Sequence, residues 1–289
     1  MNNSSPMLKP LTHKPIDPTT VAVVRELGDA AEKFRIDLFL VGAAARGILL
    51  EHVHGLPPGR ATRDIDFAFV VDNWEHFQAI KDCLLATGRF RALEKLAQRL
   101  KYKIEGFPSE LTVDLIPFGG VESEGKTLRW PPDMATVMNV AGYDDAYHAA
   151  VPVEIAPGLV LRVASLPAMA ILKIFAWVDR GREDHKDALD LLTLLRQYCE
   201  AGNETRIHED FSAVLEATEY DIELAGARLL GLDAKAASSP DTLQRVMQIF
   251  DDEKNIERLL TDMSKALRGR DNAYEIASGL LAQFIAGLR

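Results

Sequence analysis

Cysteine is scarce. Cys83 and Cys199 are the only two in 289 residues, with no Cys-x-x-Cys or zinc-type spacing. Neither a disulfide framework nor a structural zinc site is therefore expected, and both read as core or surface thiols. Long apolar runs are missing too: none approaches the ~20 residues of a membrane span, and Met1 to Pro18 lacks the basic-then-apolar order of a signal peptide. The expectation is a cytoplasmic protein with no membrane partner. His52 and His54 stand two apart with no third ligand nearby and read as surface histidines. Positive charge is in deficit, 33 Lys and Arg against 43 Asp and Glu for a net −10. That argues against broad, charge-driven binding of duplex nucleic acid but leaves room for a local basic face. What is present is 47 % hydrophobic residues, enough for a substantial core, in a chain long enough for two units or one elaborated one.

The stretch Arg60 to Val71 organises the rest. From Ile65 onward its apolar, β-branched and aromatic residues predict a buried strand, with Asp64 and Asp66 at its entrance. Strand side chains alternate faces, so both carboxylates project to the same side. Like charges a few Å apart repel unless a cation lies between them, and a divalent ion with oxygen ligands, Mg²⁺, is the simplest partner. Two solvated residues at a strand start share the same spelling, so the flanking segments must decide.

In chain order, Met1 to Asp17 is polar and proline-punctuated and reads as a flexible arm (residues 1–17). Asp17-Pro18 opens a helix whose Val21, Val24, Leu27, Ala31 and Phe34 recur at helical spacing. Ile36 to Val41 is a short strand that ends at Gly42, followed by helix-forming Ala43 to Glu51. Such a turn either allows close packing or brings backbone N–H groups to an anion at a helix start. Asp72-Asn73 caps the next helix, with Trp74, Phe77, Ile80 and Leu84 as its core stripe.

Arg89 to Lys103 then carries Arg89, Arg91, Lys95, Arg99, Lys101 and Lys103 against one acid, Glu94. It is either a solvated face or a docking surface for a polyanion such as RNA. Gln98 to Ile104 and Leu111 to Pro117 read as two hairpin arms. Asp114 inside the second is costly unless paired or metal-bound, which makes it the candidate third ligand. Gly119 to His148 reads as loops with short elements, and Val151 to Val163 as a hairpin turning at Pro157-Gly158. Ser165 and Pro167 open a helix with Met169, Leu172, Phe175 and Ala176 toward the core, where Lys173 alone would snorkel. Beyond Gly202 the chain is helical, with Gly231 and Pro240 separating helices.

The order strand, glycine turn, helix, Asp-x-Asp strand, helix and strand with a lone Asp resembles the DNA polymerase beta-like nucleotidyltransferase superfamily. Gly42-Ala43-Ala44-Ala45, Thr62-Arg63-Asp64-Ile65-Asp66 and Val113-Asp114-Leu115 correspond to its glycine turn and three carboxylates. Lys173 to Arg180 followed by Lys186-Asp187-Ala188-Leu189-Asp190-Leu191 is similar to the Lys…Arg…Lys-Asp-x-x-Asp-Leu segment of AbiEii/AbiGii-type nucleotidyltransferases, many of them toxins. Ala43 departs from the pattern, since the superfamily usually has Gly-Ser or Gly-Gly there.

The resemblance implies an α/β protein: a nucleotidyltransferase-fold mixed β-sheet with flanking helices over residues 18–164, plus a C-terminal helical domain over 165–289 that contributes Lys173, Asp187 and Asp190 to the cleft. It implies two Mg²⁺ ions on Asp64, Asp66 and Asp114, an NTP donor, and catalytic roles for those three and Lys173. Gly42, Ala43, Thr62, Lys173, Arg180, Asp187 and Asp190 are the implied nucleotide-binding residues. The implied acceptor is RNA such as a tRNA 3′ end, with an antitoxin protein as partner. Two alternatives stand beside it: a small-molecule nucleotidyltransferase acting on an antibiotic or metabolite, and a nucleotide- or partner-binding pseudoenzyme.

Overall fold

Asp17 caps the first helix as its chemistry requires. In the computed structural model of the chain its carboxylate accepts the backbone N–H of Thr19 (2.9 Å) and Thr20 (3.1 Å), and α1 runs Pro18–Phe34 until Arg35 turns left-handed. The structure describes residues 6–57, 59–60, 64–93, 96–180, 184–267 and 269–289. The chain divides into two units, Met1–Ala164 and Ser165–Arg289.

The first unit is built on a seven-stranded mixed sheet. Its strands are β1 (Leu38–Val41), β2 (Asp64–Val71), β3 (Phe90–Leu93), β4 (Leu96–Lys103), β5 (Glu110–Gly119), β8 (Val151–Ala156) and β9 (Leu159–Val163), in the order β3-β4-β5-β2-β1-β9-β8. β2 lies parallel to β5, and β1 parallel to β9, while β1/β2, β3/β4, β4/β5 and β8/β9 are antiparallel. β2 is central for a simple reason: Ile65, Phe67, Phe69 and Val71 fill one face and are all buried. Each such side chain contributes roughly 1.5–3 kcal/mol by leaving water. β3 carries little sequence signal, because only its Phe90 is buried while Arg91 and Ala92 face solvent. A two-stranded ribbon, β6 (Thr127–Arg129) with β7 (Val137–Asn139), and α4 (Tyr143–His148) occupy the expected loop region.

Helix α2 (Gly42–Gly47) follows β1 directly and runs on as a wider helical turn over Ile48–Val53. α3 (Trp74–Ala86) begins at Asn73, whose side chain accepts the His76 N–H at 2.8 Å. Its Trp74 is half-buried against Trp130, ring centroids 5.2 Å apart. The N-terminal segment is tied down where a loose arm was expected. Leu8 exchanges backbone hydrogen bonds with Pro152 and Glu154 at the β8 edge, and His52 Nδ1 meets the Lys14 carbonyl at 2.8 Å, so this histidine serves packing.

The second unit is helical: α5 (Leu166–Arg180), α6 (Lys186–Gln197), α7 (Glu204–Glu209), α8 (Ser212–Ala217), α9 (Ile222–Ala236), α10 (Pro240–Phe250), α11 (Glu253–Ser264) and α12 (Ala273–Leu288). Pro240 does open a helix, behind a Ser239 cap. Gly231, read as a separator, instead lies inside α9. A Cβ there would sit 2.2 Å from the Phe284 carbonyl oxygen of α12, and one on Gly287 2.2 Å from that of Arg228. The two backbones touch, which is what glycine permits and a helix-breaking reading overlooks. No helix of the described residues is long and apolar enough to cross a membrane.

Candidate active site

Strand register gathers the three carboxylates on one face. Asp66 stands opposite Asp114 in the parallel β2/β5 ladder, and Asp64, two residues earlier, stands opposite Thr112. Val41 of β1 pairs with Asp66 from the other side, so Gly42 begins the helix beside that carboxylate. Gly42 has φ +73°, and a Cβ on it would lie 2.2 Å from Asp66 Oδ2. The glycine is thus required twice, by the left-handed backbone and by the oxygen it faces. Ala43, where a hydroxyl is usual in the superfamily, is buried.

A cation from the chain itself sits among these acids. Arg99 of β4 pairs with Asp114 in the antiparallel β4/β5 ladder. Its Nε and Nη2 donate to Asp114 Oδ1 and Oδ2 at 2.7 and 2.6 Å, a bidentate fork, and Nη2 lies 4.0 Å from Asp64 Oδ2. The hydrogen bonds to Asp114 hold the guanidinium above its ordinary value, with the charges of Asp64 and Asp66 adding to the pull. No three acidic, imidazole or thiol groups among the described residues form a chelating set as they stand. The donor chemistry nevertheless suits a hard divalent cation: three carboxylates on one face, oxygen ligands throughout, and a guanidinium standing in as the positive charge.

Arg91, Lys101 and Lys103 share that face, whereas Arg89 turns to the Tyr102 hydroxyl on the other. Arg91 forks onto Glu110 (3.2 and 2.6 Å), Arg89 meets Glu26 at 3.2 Å, and Lys101 donates to the Thr112 hydroxyl at 2.7 Å. Lys103 is exposed and, with Gly88, Arg89 and Glu105, lines a recess of about 250 Å³. Thr62 and Lys95, both named from the sequence, lie outside the described residues. Arg46 of α2 escaped the sequence reading. It is buried and donates to the Arg60 carbonyl at 2.9 Å.

In the helical unit Lys173 is neither a snorkelling nor a mobile lysine. It is 8 % exposed, and its Nζ lies 2.9 Å from Asp187 Oδ1 and 2.6 Å from Asp190 Oδ2. The inward face of α5 includes Lys173 and Trp177 because α6 supplies two carboxylates, at 0 % and 1 % exposure, to receive the ammonium. Arg180 completes the set with a fork onto Asp187 at 2.7 and 3.1 Å. Burial alone would push the Asp187 carboxyl up. The Arg180 hydrogen bond and the Lys173 charge more than offset it and bring it down to about 2. A third buried acid, Asp262, accepts from Trp177 Nε1 (3.0 Å) and Lys265 Nζ (2.7 Å) and faces His185 at 2.9 Å, joining α5 and α11 to the start of α6. Partners 77 to 85 residues apart leave no local sequence signal.

Comparison with curated proteins returns no match. Among solved structures, an antigenic nucleotidyltransferase-like protein from Paracoccidioides brasiliensis is 19% identical over 68% of this chain and 91% of its own, with a TM-score of 0.42. The antibiotic-resistance factor ANT(2'')-Ia is 16% identical over 71% and 100%, TM-score 0.35. The Thermotoga maritima CCA-adding enzyme, solved with tRNA, is 12% identical over 95% and 83%, TM-score 0.26. A family model described as nucleotidyl transferase AbiEii toxin, type IV TA system, matches residues 27–271. The chain belongs to that family and is a nucleotidyltransferase.

Proposed function

We infer that the protein transfers a nucleotidyl group from an NTP to the 3′ end of an RNA, a tRNA being the leading acceptor, as the toxin partner of a cognate antitoxin. The observation that carries this reading is the register of β2 and β5, which sets Asp66 opposite Asp114 with Asp64 on the same face. Asp64, Asp66 and Asp114 are assigned to two divalent ions, Mg²⁺ by their all-oxygen chemistry. When bound, such ions neutralise the triphosphate, activate the attacking hydroxyl and stabilise the leaving pyrophosphate.

The chain's own residues do the rest. Gly42 lets the turn lie against Asp66 and fixes the carboxylate's direction. Asp114 takes the proton of the attacking hydroxyl once its oxygens are released from Arg99. Lys101 and Lys103 continue the face from the carboxylates toward the sheet edge as phosphate contacts for a polyanionic acceptor. In the helical unit we assign phosphate contact to Arg180, whose side chain is 48% exposed, and its orientation to the buried set of Lys173, Asp187 and Asp190. The family description, a type IV toxin–antitoxin system, supports a separately encoded antitoxin.

The test is incubation with each labelled NTP, Mg²⁺ and total tRNA, comparing wild type with Asp64→Asn. Label on tRNA from wild type alone supports the reading. Equal labelling by both, or none by either, overturns it. Label that moves to an aminoglycoside in competition would transfer the assignment to a small-molecule acceptor.

A further inference from the structure

The contact that the transfer chemistry leaves unexplained is the fork of Arg99 on Asp114. Both oxygens of that carboxylate are taken, at 2.7 and 2.6 Å, by a guanidinium on the neighbouring strand. Asp114 is buried, so this is not a solvated surface pair that breaks and reforms freely. Arg99 also lies 4.0 Å from Asp64, so one monovalent group serves two of the three acids assigned to metal. On the same strand and face, Lys101 and Lys103 point away to Thr112 and to solvent. A divalent ion on Asp114 and a guanidinium on Asp114 compete for the same lone pairs and repel one another.

Resting on the assignment of these acids to metal, we propose that Arg99 is a resident counter-ion that holds Asp114 in the metal-free protein, must be displaced before an ion can bind there, and then turns to phosphate oxygens of the polyanion on the Lys101 and Lys103 face. Metal loading and polyanion binding are thereby coupled. An anion that captures Arg99 frees Asp114 for metal, and by linkage metal on Asp114 improves the anion's affinity by the same factor. The ion held by Asp64 and Asp66 is less affected, because the guanidinium stands 4.0 Å from Asp64 and its fork is on Asp114.

The experiment is a Mn²⁺ titration read by electron paramagnetic resonance of the free ion, since Mn²⁺ takes the same oxygen ligands. It uses the full chain as wild type, Arg99→Gln, Arg99→Lys, Lys101→Gln and Asp114→Asn, with and without inorganic tripolyphosphate, each series read against a protein-free titration because tripolyphosphate itself chelates Mn²⁺. Wild type is expected to bind two ions with unequal affinity, and Asp114→Asn to lose the weaker site. Arg99→Gln should tighten that site about tenfold or more, and Lys101→Gln, which removes equal charge without touching Asp114, by less than about threefold; tenfold is 1.4 kcal/mol. Tripolyphosphate should tighten the weaker site by a larger factor in wild type than in Arg99→Gln, where only its direct contact with the ions remains; equal factors overturn the coupling. Should Arg99→Gln fail to fold, Arg99→Lys, which keeps the charge but not the fork, is expected to give an intermediate tightening. If Asp114→Asn removes a site while both Arg99 variants leave it unchanged or weaker, the counter-ion proposal falls and the carboxylate assignment stands. If wild type binds no Mn²⁺, or binds as well without Asp114, both fall.

Discussion

Gly42→Ala separates the site from the scaffold more cleanly than removal of a carboxylate would. The substituted residue must hold φ +73°, which costs an L-residue roughly 1–2 kcal/mol. Its Cβ would also lie 2.2 Å from Asp66 Oδ2, where ordinary contact begins at 3.4 Å, so the oxygen must retreat by about 1.2 Å. That retreat moves a half-buried side chain, its Cγ 3.1 Å from the same Cβ, and not the strand backbone. It is expensive in function, because displacement of a reacting group by about 1 Å costs on the order of 10²-fold in rate. The expected outcome is a folded protein, destabilised by about 1–2 kcal/mol in a denaturant melt, that labels total tRNA about a hundredfold more slowly than wild type. Gly47→Ala is the matched control. Gly47 has helical φ −59°, and a methyl added to it would meet nothing within 4 Å, so the variant should gain about 0.5–1 kcal/mol and keep its rate. A Gly42→Ala protein that folds normally and labels within twofold of wild type would refute the claim that this turn positions Asp66.

Other outcomes follow from the same geometry. The Asp187 carboxyl, near 3.9 in an unfolded chain and about 2 when folded, contributes stability that is complete above pH ~4 and is lost as pH falls through 2, roughly 2–3 kcal/mol in all. Denaturant melts of wild type and Asp187→Asn should therefore converge over that window, and a constant gap would contradict the ion-pair account. Gly231→Ala drives a methyl to 2.2 Å from a backbone carbonyl, which cannot rotate away, and should lower stability by about 1–3 kcal/mol in chemical denaturation. Lys101→Gln combined with Lys103→Gln should weaken tRNA binding without changing sequence preference. It should also reduce the slope of log affinity against log salt by about 1–2; an unchanged slope would remove these lysines from the phosphate-contacting face.

Period-two alternation is enough to put Asp64 and Asp66 on one face, and the cost of an acid in an apolar strand is enough to single out Asp114. Neither requires knowledge of which strands are neighbours. Arg99 does: its meaning depends on the register of β4 against β5, which places it opposite Asp114 and leaves Lys101 opposite Thr112. Read from sequence, all of these cations belong to one charge run. Lys173 misleads for a related reason. Helical spacing favours Met169, Leu172, Phe175 and Ala176 as the buried face, yet Leu172 and Ala176 are only half-buried, while Lys173 turns inward to acids on α6. Gly231 shows the same limit. Its packing partner, Gly287, lies 56 residues further along the chain, and only tertiary contact distinguishes close approach from helix termination.

The two charged clusters differ in a way that predicts which one can rearrange. In the helical unit, Lys173 and Arg180 pair with Asp187 and Asp190, so loss of either cation takes a hydrogen-bonded partner from a buried negative charge. That pairing favours a fixed arrangement. Around Asp114 three carboxylates converge on one face of the sheet, and the fork of Arg99 on Asp114 lies 4.0 Å from Asp64. A guanidinium that leaves Asp114 for a phosphate exchanges one bidentate, charge-assisted pair for another of the same geometry, at little net change in contact energy. The direction of the exchange is then set by what Asp114 gains: unfavourable while its oxygens would lose the fork with nothing in return, favourable once a divalent ion takes them. On the counter-ion proposal, competition for the Asp114 oxygens, rather than flexibility of the strand, makes Arg99 displaceable while Lys173 stays fixed.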